Sequence, residues 1–271
     1  MANLGGRVES RVKVMGIINA TPDSFHPASR LGDFERAMEM IENGADWIDI
    51  GGESTRPGAN TISIEEETSR IIPLVEKVSK HCKVSADTRN VIVARAALDA
   101  GAMMINDVNG LRNEEMIELI LEKECHVCIM HMKGEPGNMQ DNPEYENVTS
   151  EVLQYLLSKA NYLVSRGHPV DKIFLDPGIG FGKNLNHNIE LLKLSSELRP
   201  YSILWGVSRK SMIGQICEQS SSDNRLAGSL AVAAYAFDQG INMIRVHDVR
   251  EHVDLFKVLR VLKSPRGVND G

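Results

Sequence analysis

Near the end of the chain, Ile244-Arg245-Val246-His247 alternates apolar and polar residues. In an extended strand that two-residue period puts Arg245 and His247 on one face and Val246 on the other. A guanidinium and an imidazole aimed at one spot make a clamp for an anion. Other apolar runs end in groups suited to hydrogen bonding: Asp87, Asn106 and Asp176. A carboxylate and an amide together can read the donor–acceptor edge of a heterocycle, and either can also cap the turn that follows its strand. Ser208-Arg209-Lys210-Ser211 sets a hydroxyl and two cations after another apolar run, as a polar-ligand site or a solvated basic turn.

Two glycine-rich segments could bring backbone close to a ligand. Gly51-Gly52-Glu53-Ser54-Thr55-Arg56-Pro57-Gly58 offers the donor fork of Arg56 for a carboxylate or phosphate. Asp176-Pro177-Gly178-Ile179-Gly180-Phe181-Gly182-Lys183 fits neither nucleotide fingerprint, because Pro177 and Lys183 stand where a P-loop and a dinucleotide loop need glycine. It reads as a close-packed loop around a flat ligand, with Phe181 available for stacking. Asn19, before Ala20-Thr21-Pro22-Asp23-Ser24-Phe25, could bind Mg2+ through its side-chain oxygen or cap a turn. Met130, Met132 and Met139 read as pocket lining. Cys125-His126-Val127-Cys128 has CxxC spacing but falls where a strand should begin, with no second pair, so neither zinc nor redox chemistry is expected of it.

These groups must be positioned by a scaffold that brings many strand ends together. Eight apolar runs end in Asn19, Asp49, Asp87, Asn106, His131, Asp176, Ser208 and His247. Strands are expected at about 12–19, 46–50, 83–87, 103–106, 126–131, 172–176, 202–207 and 242–247. Helices are expected at about 33–44, 64–80, 90–100, 113–123, 144–167, 186–198, 223–239 and 248–263. Regular alternation argues for a parallel sheet, and eight units within 271 residues favour a single (β/α)8 TIM barrel over an open doubly wound sheet. The fold class is therefore α/β, one domain over 1–271, with the site at the C-terminal ends of the strands. A formal net charge of -7 argues against nucleic acid or an anionic membrane as partner, so any anion affinity must be local. Four scattered cysteines, no signal-peptide core and no membrane-length apolar run point to a cytoplasmic protein.

Taken in order, the segments resemble the dihydropteroate synthases, of the pterin-binding barrel superfamily. The resemblance is carried by Met15-Gly16-Ile17-Ile18-Asn19-Ala20-Thr21-Pro22-Asp23-Ser24-Phe25, the Gly52–Gly58 loop, Ser85-Ala86-Asp87-Thr88 and Ile105-Asn106-Asp107. It continues through Met130-His131-Met132-Lys133-Gly134, Asp176–Lys183, Ser208-Arg209-Lys210-Ser211 and Arg245-Val246-His247-Asp248. It implies condensation of 6-hydroxymethyl-7,8-dihydropterin pyrophosphate with p-aminobenzoate to 7,8-dihydropteroate and pyrophosphate. Carried onto this chain, it implies that Asp87, Asn106, Asp176 and Lys210 hold the pterin edge. Arg245 stacks near the ring and, with His247 and Asn19, binds pyrophosphate and its Mg2+. Thr55, Arg56, Pro57, Phe181 and Ser208 form or close the aminobenzoate site. A homodimer through the later helices is also implied. The family's first loop usually carries Asp-Gly-Gly after Ser-Phe, whereas His26-Pro27-Ala28-Ser29-Arg30 puts Pro27 where that Asp is expected. The competing activities are a pterin-dependent corrinoid methyltransferase, which would not need the anion clamp, and a non-catalytic pterin-binding protein.

Overall fold

The computed structural model describes residues 11–20, 27–53, 62–134, 139 and 142–264. Eight parallel strands close a barrel in chain order. They are β1 (Lys13–Asn19), β2 (Trp47–Gly51), β3 (Lys83–Asp87), β4 (Met104–Asp107), β5 (His126–Met130), β6 (Ile173–Asp176), β7 (Ser202–Trp205) and β8 (Met243–Val246). Closure runs through β8 on β1, from Lys13 opposite Met243 to Gly16 opposite Val246. Around them lie α1 (Pro27–Glu42), α2 (Ile64–Val78), α3 (Val91–Asp99), α4 (Glu114–Lys123), α5 (Val148–Ser165), α6 (Leu185–Leu194), α7 (Ser211–Ile216), α8 (Leu226–Gln239) and α9 (Val249–Lys263). Among the described residues no helix is long and apolar enough to cross a membrane.

Local chemistry explains where several helices start. Ser63 caps α2 by accepting from the Glu66 amide, and Glu65, Glu66 and Glu67 place negative charge at the positive end of the helix dipole. Asn184 and His187 form a reciprocal capping box at the head of α6. Pro27 is the first residue of α1, a position where proline's fixed φ and missing N–H cost little. The helix thus begins six residues before the expected 33, and Pro27 belongs to it.

Strand alternation sorts side chains into two cores. Ile48, Ile50, Val84, Ile105, Val127, Ile129, Ile173, Leu175 and Ile244 face outward against the helices. Met15, Trp47, Met104, Cys128, Phe174, Leu204 and Met243 point inward and plug the barrel. Each large fully buried side chain of this kind contributes about 1.5–3 kcal/mol. Two residues further along the same strands come Asp49 after Trp47, Asn106 after Met104, Met130 after Cys128, Asp176 after Phe174 and Arg245 after Met243. Beside them, Asp87 follows the inward Ser85. The period of two that fills the plug also stacks a polar layer on top of it.

Three expectations need correcting. Asp49 is in the middle of β2, not at its tip. β7 stops at Trp205, so Ser208 lies on the connection beyond it. Finally, the unit after β7 holds two helices instead of one: α7 precedes α8, which begins at Leu226 and not 223. Six residues are too few for a helical period to show in sequence.

Candidate active site

The polar layer is cross-linked around Arg245. Its Nε donates to Asp49 Oδ2 at 2.5 Å and its Nη2 to Asp87 Oδ2 at 2.7 Å. Asn106 Nδ2 donates to the same Asp49 oxygen at 3.1 Å. Of the neighbouring pair on β4, Asp107 turns outward and caps its own turn, accepting from the Asn109 and Leu111 amides at 2.8 Å each. Asn106 is therefore the member left to face a ligand. Burial pushes the Asp87 carboxyl up to about 7, with Arg245 opposing and Asp49 adding to the rise. Burial alone would pull Arg245 down, but Asp49 and Asp87 hold it above its ordinary value.

Asp176 caps its own turn with one oxygen and leaves the other directed elsewhere. Oδ1 accepts from the Gly178 amide at 2.8 Å, opening the Pro-Gly turn. Its other oxygen lies toward Gly206, beside Lys210 Nζ. Lys210 donates to Ile179 O at 2.5 Å and sits 4.5 Å above the Phe181 ring. Burial lowers Lys210 to about 8, with Asp176 resisting, and burial raises Asp176, with Lys210 resisting. Phe181 packs on Val108, Met130, Met132 and Met139, which form an apolar wall at the mouth. The methionines thus form one buried apolar cluster with Phe181, and a flexible thioether surface of this kind can adapt to a flat ring.

The glycines of this loop let two backbones touch. A Cβ on Gly178, at φ +67, would lie 1.9 Å from His131 O, and one on Gly182 would lie 2.3 Å from Lys133 O. Gly178→Ala is therefore expected to lose about 2–4 kcal/mol in denaturant unfolding, from left-handed strain plus overpacking. Gly180→Ala meets only the flexible Lys210 Cδ at 3.4 Å, so it should lose about 1–2 kcal/mol, for the backbone strain alone. Equal losses would show that the close backbone approach is unimportant.

The expected clamp is divided. His247 Nδ1 lies 3.1 Å from Ser208 Oγ, and its backbone N–H donates to that hydroxyl at 3.3 Å, while Arg245 engages the carboxylates below. The two side chains therefore engage separate partners instead of converging on one spot. Of the two cations after β7 only Lys210 turns inward. Arg209, left-handed at φ 57, is spent on a bidentate pair with Asp248 at 2.8 and 2.6 Å and a contact with Asp223. Asn19 is exposed as the last residue of β1, in register with Gly51. Thr55, Arg56 and Pro57 lie outside the described residues. Cys125 packs in the outer core and Cys128 in the inner plug, so the two thiols do not face one another.

One inward group has no reading from the sequence alone. Lys183 is buried with Nζ donating to His131 O at 3.2 Å and to Phe181 O at 2.9 Å, and lying 3.1 Å from His131 Nδ1. It staples the Gly178–Gly182 loop to the end of β5. Burial drives Lys183 well down, and burial followed by Lys183 drives His131 to about 3. His131, a strand end left without a task, is thus a neutral support. The one available signal was a lysine closing a glycine-rich loop. Asp49, like His131, reads from the sequence as a support more than a reactant, but what it supports depends on register and not on residue type.

Comparison with known proteins agrees with this geometry. The family profile described as pterin binding enzyme matches residues 15–247. The dihydropteroate synthase of Escherichia coli (strain K12) is 43% identical over 265 residues, 95% of this chain and 94% of that protein. The structure of Burkholderia cenocepacia dihydropteroate synthase complexed with 7,8-dihydropteroate superposes with a TM-score of 0.86 at 41% identity, covering 93% of this chain and 92% of that one. That of Xanthomonas albilineans dihydropteroate synthase with 4-aminobenzoic acid gives a TM-score of 0.86 at 37% identity, covering 94% of each. The chain belongs to the pterin binding enzyme family and, within it, to the dihydropteroate synthases.

Proposed function

We propose that the polar layer receives the dihydropterin pyrophosphate and the rim receives p-aminobenzoate. The carrying observation is the convergence of Asp87, Asn106, Asp176 and Lys210 around the Asp49–Arg245 pair in one buried layer. Such a set supplies acceptors for the ring's amino and N–H groups and donors for its carbonyl. Support for the rim assignment comes from Phe181 under Lys210, Ser208 near His247, and the 4-aminobenzoic acid bound by the Xanthomonas relative. Thr55, Arg56 and Pro57 belong to the same rim reading.

The transfer follows from these charges. Three carboxylates face Arg245 and Lys210, so the layer favours positive charge developing on the pterin methylene carbon as pyrophosphate departs. Arg245 and His247 meet the departing anion from below and above. The aniline nitrogen then attacks that carbon with no covalent enzyme nucleophile, and the proton it sheds passes to the departed pyrophosphate or water. Nearby, Lys210 holds the pterin edge and fixes the ring stacked against Phe181.

Mg2+ fits the site as a substrate-borne ion. Among the described residues no group of three or more carboxylate, imidazole or thiol side chains could cage a metal, and Asn19 is exposed at the strand tip. A hard cation that keeps its waters needs only such an oxygen plus the phosphates. Bound there, it would neutralise charge on the leaving pyrophosphate. We further assign a cytoplasmic location, supported by free Cys82, Cys125, Cys128 and Cys217. The proposed homodimer is supported by apolar Tyr235, Val258, Val261 and Leu262, which α8 and α9 leave exposed.

The test is incubation with Mg2+, the pterin pyrophosphate and labelled p-aminobenzoate. Dihydropteroate and pyrophosphate in equal amounts are expected. Bound pterin without product would overturn the reading in favour of a binding protein, and methyl transfer to a corrinoid would overturn it in favour of the methyltransferase.

A further inference from the structure

We propose that Asp49 is a positioning residue whose one engaged oxygen holds the Arg245 guanidinium and the Asn106 amide in the orientation that meets the pterin. The inference rests on the pterin reading above.

Asp49 has no exposed surface, lies two residues inside β2 and is bonded to Arg245 and Asn106 at the base of the polar layer. Its Oδ2 accepts from Arg245 Nε at 2.5 Å and Asn106 Nδ2 at 3.1 Å. Its Oδ1 is buried with no partner among the described residues. A half-satisfied carboxylate in a closed interior is a poor way to gain stability, since an amide of the same shape avoids burying the charge. The arrangement makes sense as orientation. Arg245 hangs between Asp49 on β2 and Asp87 on β3, so neither carboxylate takes the whole fork. Asp87 keeps acceptor capacity for the pterin. The Asn106 amide, with its nitrogen tied down to Asp49, presents its oxygen upward.

Asparagine at 49 separates geometry from charge. The amide oxygen can take the place of Oδ2 and accept both donors, with the amide nitrogen where Oδ1 has no partner. Only the charge is lost, and Arg245 is then drawn wholly onto Asp87, masking it. The groups facing Asp87 are Arg245 from β8, Asp49 from β2, Glu67 from α2, Asp107 from β4 and Lys210 beyond β7. Removing the Asp49 charge and tightening the Arg245 pair both favour ionised Asp87, so its titration moves to lower pH.

The experiment is steady-state kinetics for both substrates across pH, with thermal unfolding, on the unsubstituted protein and Asp49→Asn. We expect kcat/KM for the pterin pyrophosphate to fall on the order of tenfold or more. KM for aminobenzoate should stay within about twofold, because Asp49 touches only the pterin side. The acid limb should shift to lower pH, and Tm should hold or rise. Unchanged pterin kinetics would overturn the inference, as would a lower Tm with the acid limb unmoved. If Asp49→Asn does not accumulate as folded enzyme, Asp49→Ser is read on the pterin kcat/KM and the acid limb alone, since its shorter hydroxyl cannot take both donors and a lower Tm is then expected. An unsubstituted protein without turnover would overturn the pterin reading and this inference with it, whereas turnover unaffected by Asp49→Asn overturns the inference alone.

Discussion

Lys210→Ala is expected to lower kcat/KM for both substrates by about a hundredfold to a thousandfold, equivalent to roughly 2.7–4 kcal/mol of transition-state stabilisation. Three losses combine. The ammonium leaves Asp176, whose carboxyl already rides high through burial and is restrained by Lys210. Without that restraint the Asp176 carboxyl moves further up, which weakens it as an acceptor for the proposed pterin contact. The loop loses its tie at Ile179 O, and Phe181 loses the cation over its ring. Because Lys210 lies between the Asp176 side and the Phe181 ring, which are the proposed pterin and aminobenzoate regions, kcat should fall as well as KM rise. Near-normal kinetics with both substrates would show that the site lies elsewhere. A Tm within a few degrees of the parent separates this from unfolding.

Arg245→Leu should cost about 3–5 kcal/mol of stability, since it leaves Asp49 and Asp87 as uncompensated buried carboxylates. Against a total of about 5–15 kcal/mol for a typical domain, that is a large share. The sign of its pH dependence follows from Asp87, which stands near 7 even with Arg245 present and must rise when the cation goes. A carboxyl raised in the folded state contributes stability below its unfolded value, about 3.9, and loses it as pH climbs through the folded value. The variant's deficit should therefore be widest at pH 8 and shrink toward pH 5.5. Urea unfolding at the two pH values measures it, and an equal deficit at both would refute the account. Dihydropteroate formation should be undetectable at either pH.

Much of the barrel is legible in the chain because its signal is repetitive. Apolar runs of strand length, each followed by a helical stretch, recur eight times, and a misjudged boundary does not disturb the count. The inward direction of Arg245 and Asp176 follows from the same parity. What does not follow is depth and choice. Asp49 and Asn106 both look like strand ends, yet only register shows that Asn106 rests on Asp49. Arg209 and Lys210 are adjacent cations, and a left-handed turn with Asp248 waiting on one side decides which faces in. Lys183 looks like a surface charge until the loop folds over it. In each case the deciding partner is distant along the chain.

The plug of Met15, Trp47, Met104, Cys128, Phe174, Leu204 and Met243 closes the barrel from beneath, so among the described residues the polar layer is closed on its lower side. A ring seated against Asp87 and Asp176 must pass the rim where Phe181 and Ser208 stand. An arylamine already at the rim would block its path. On the proposed placement of the two substrates, ordered traffic is the expected outcome: aminobenzoate should bind measurably only once the pterin site is filled, which equilibrium binding with and without pyrophosphate-bearing pterin checks.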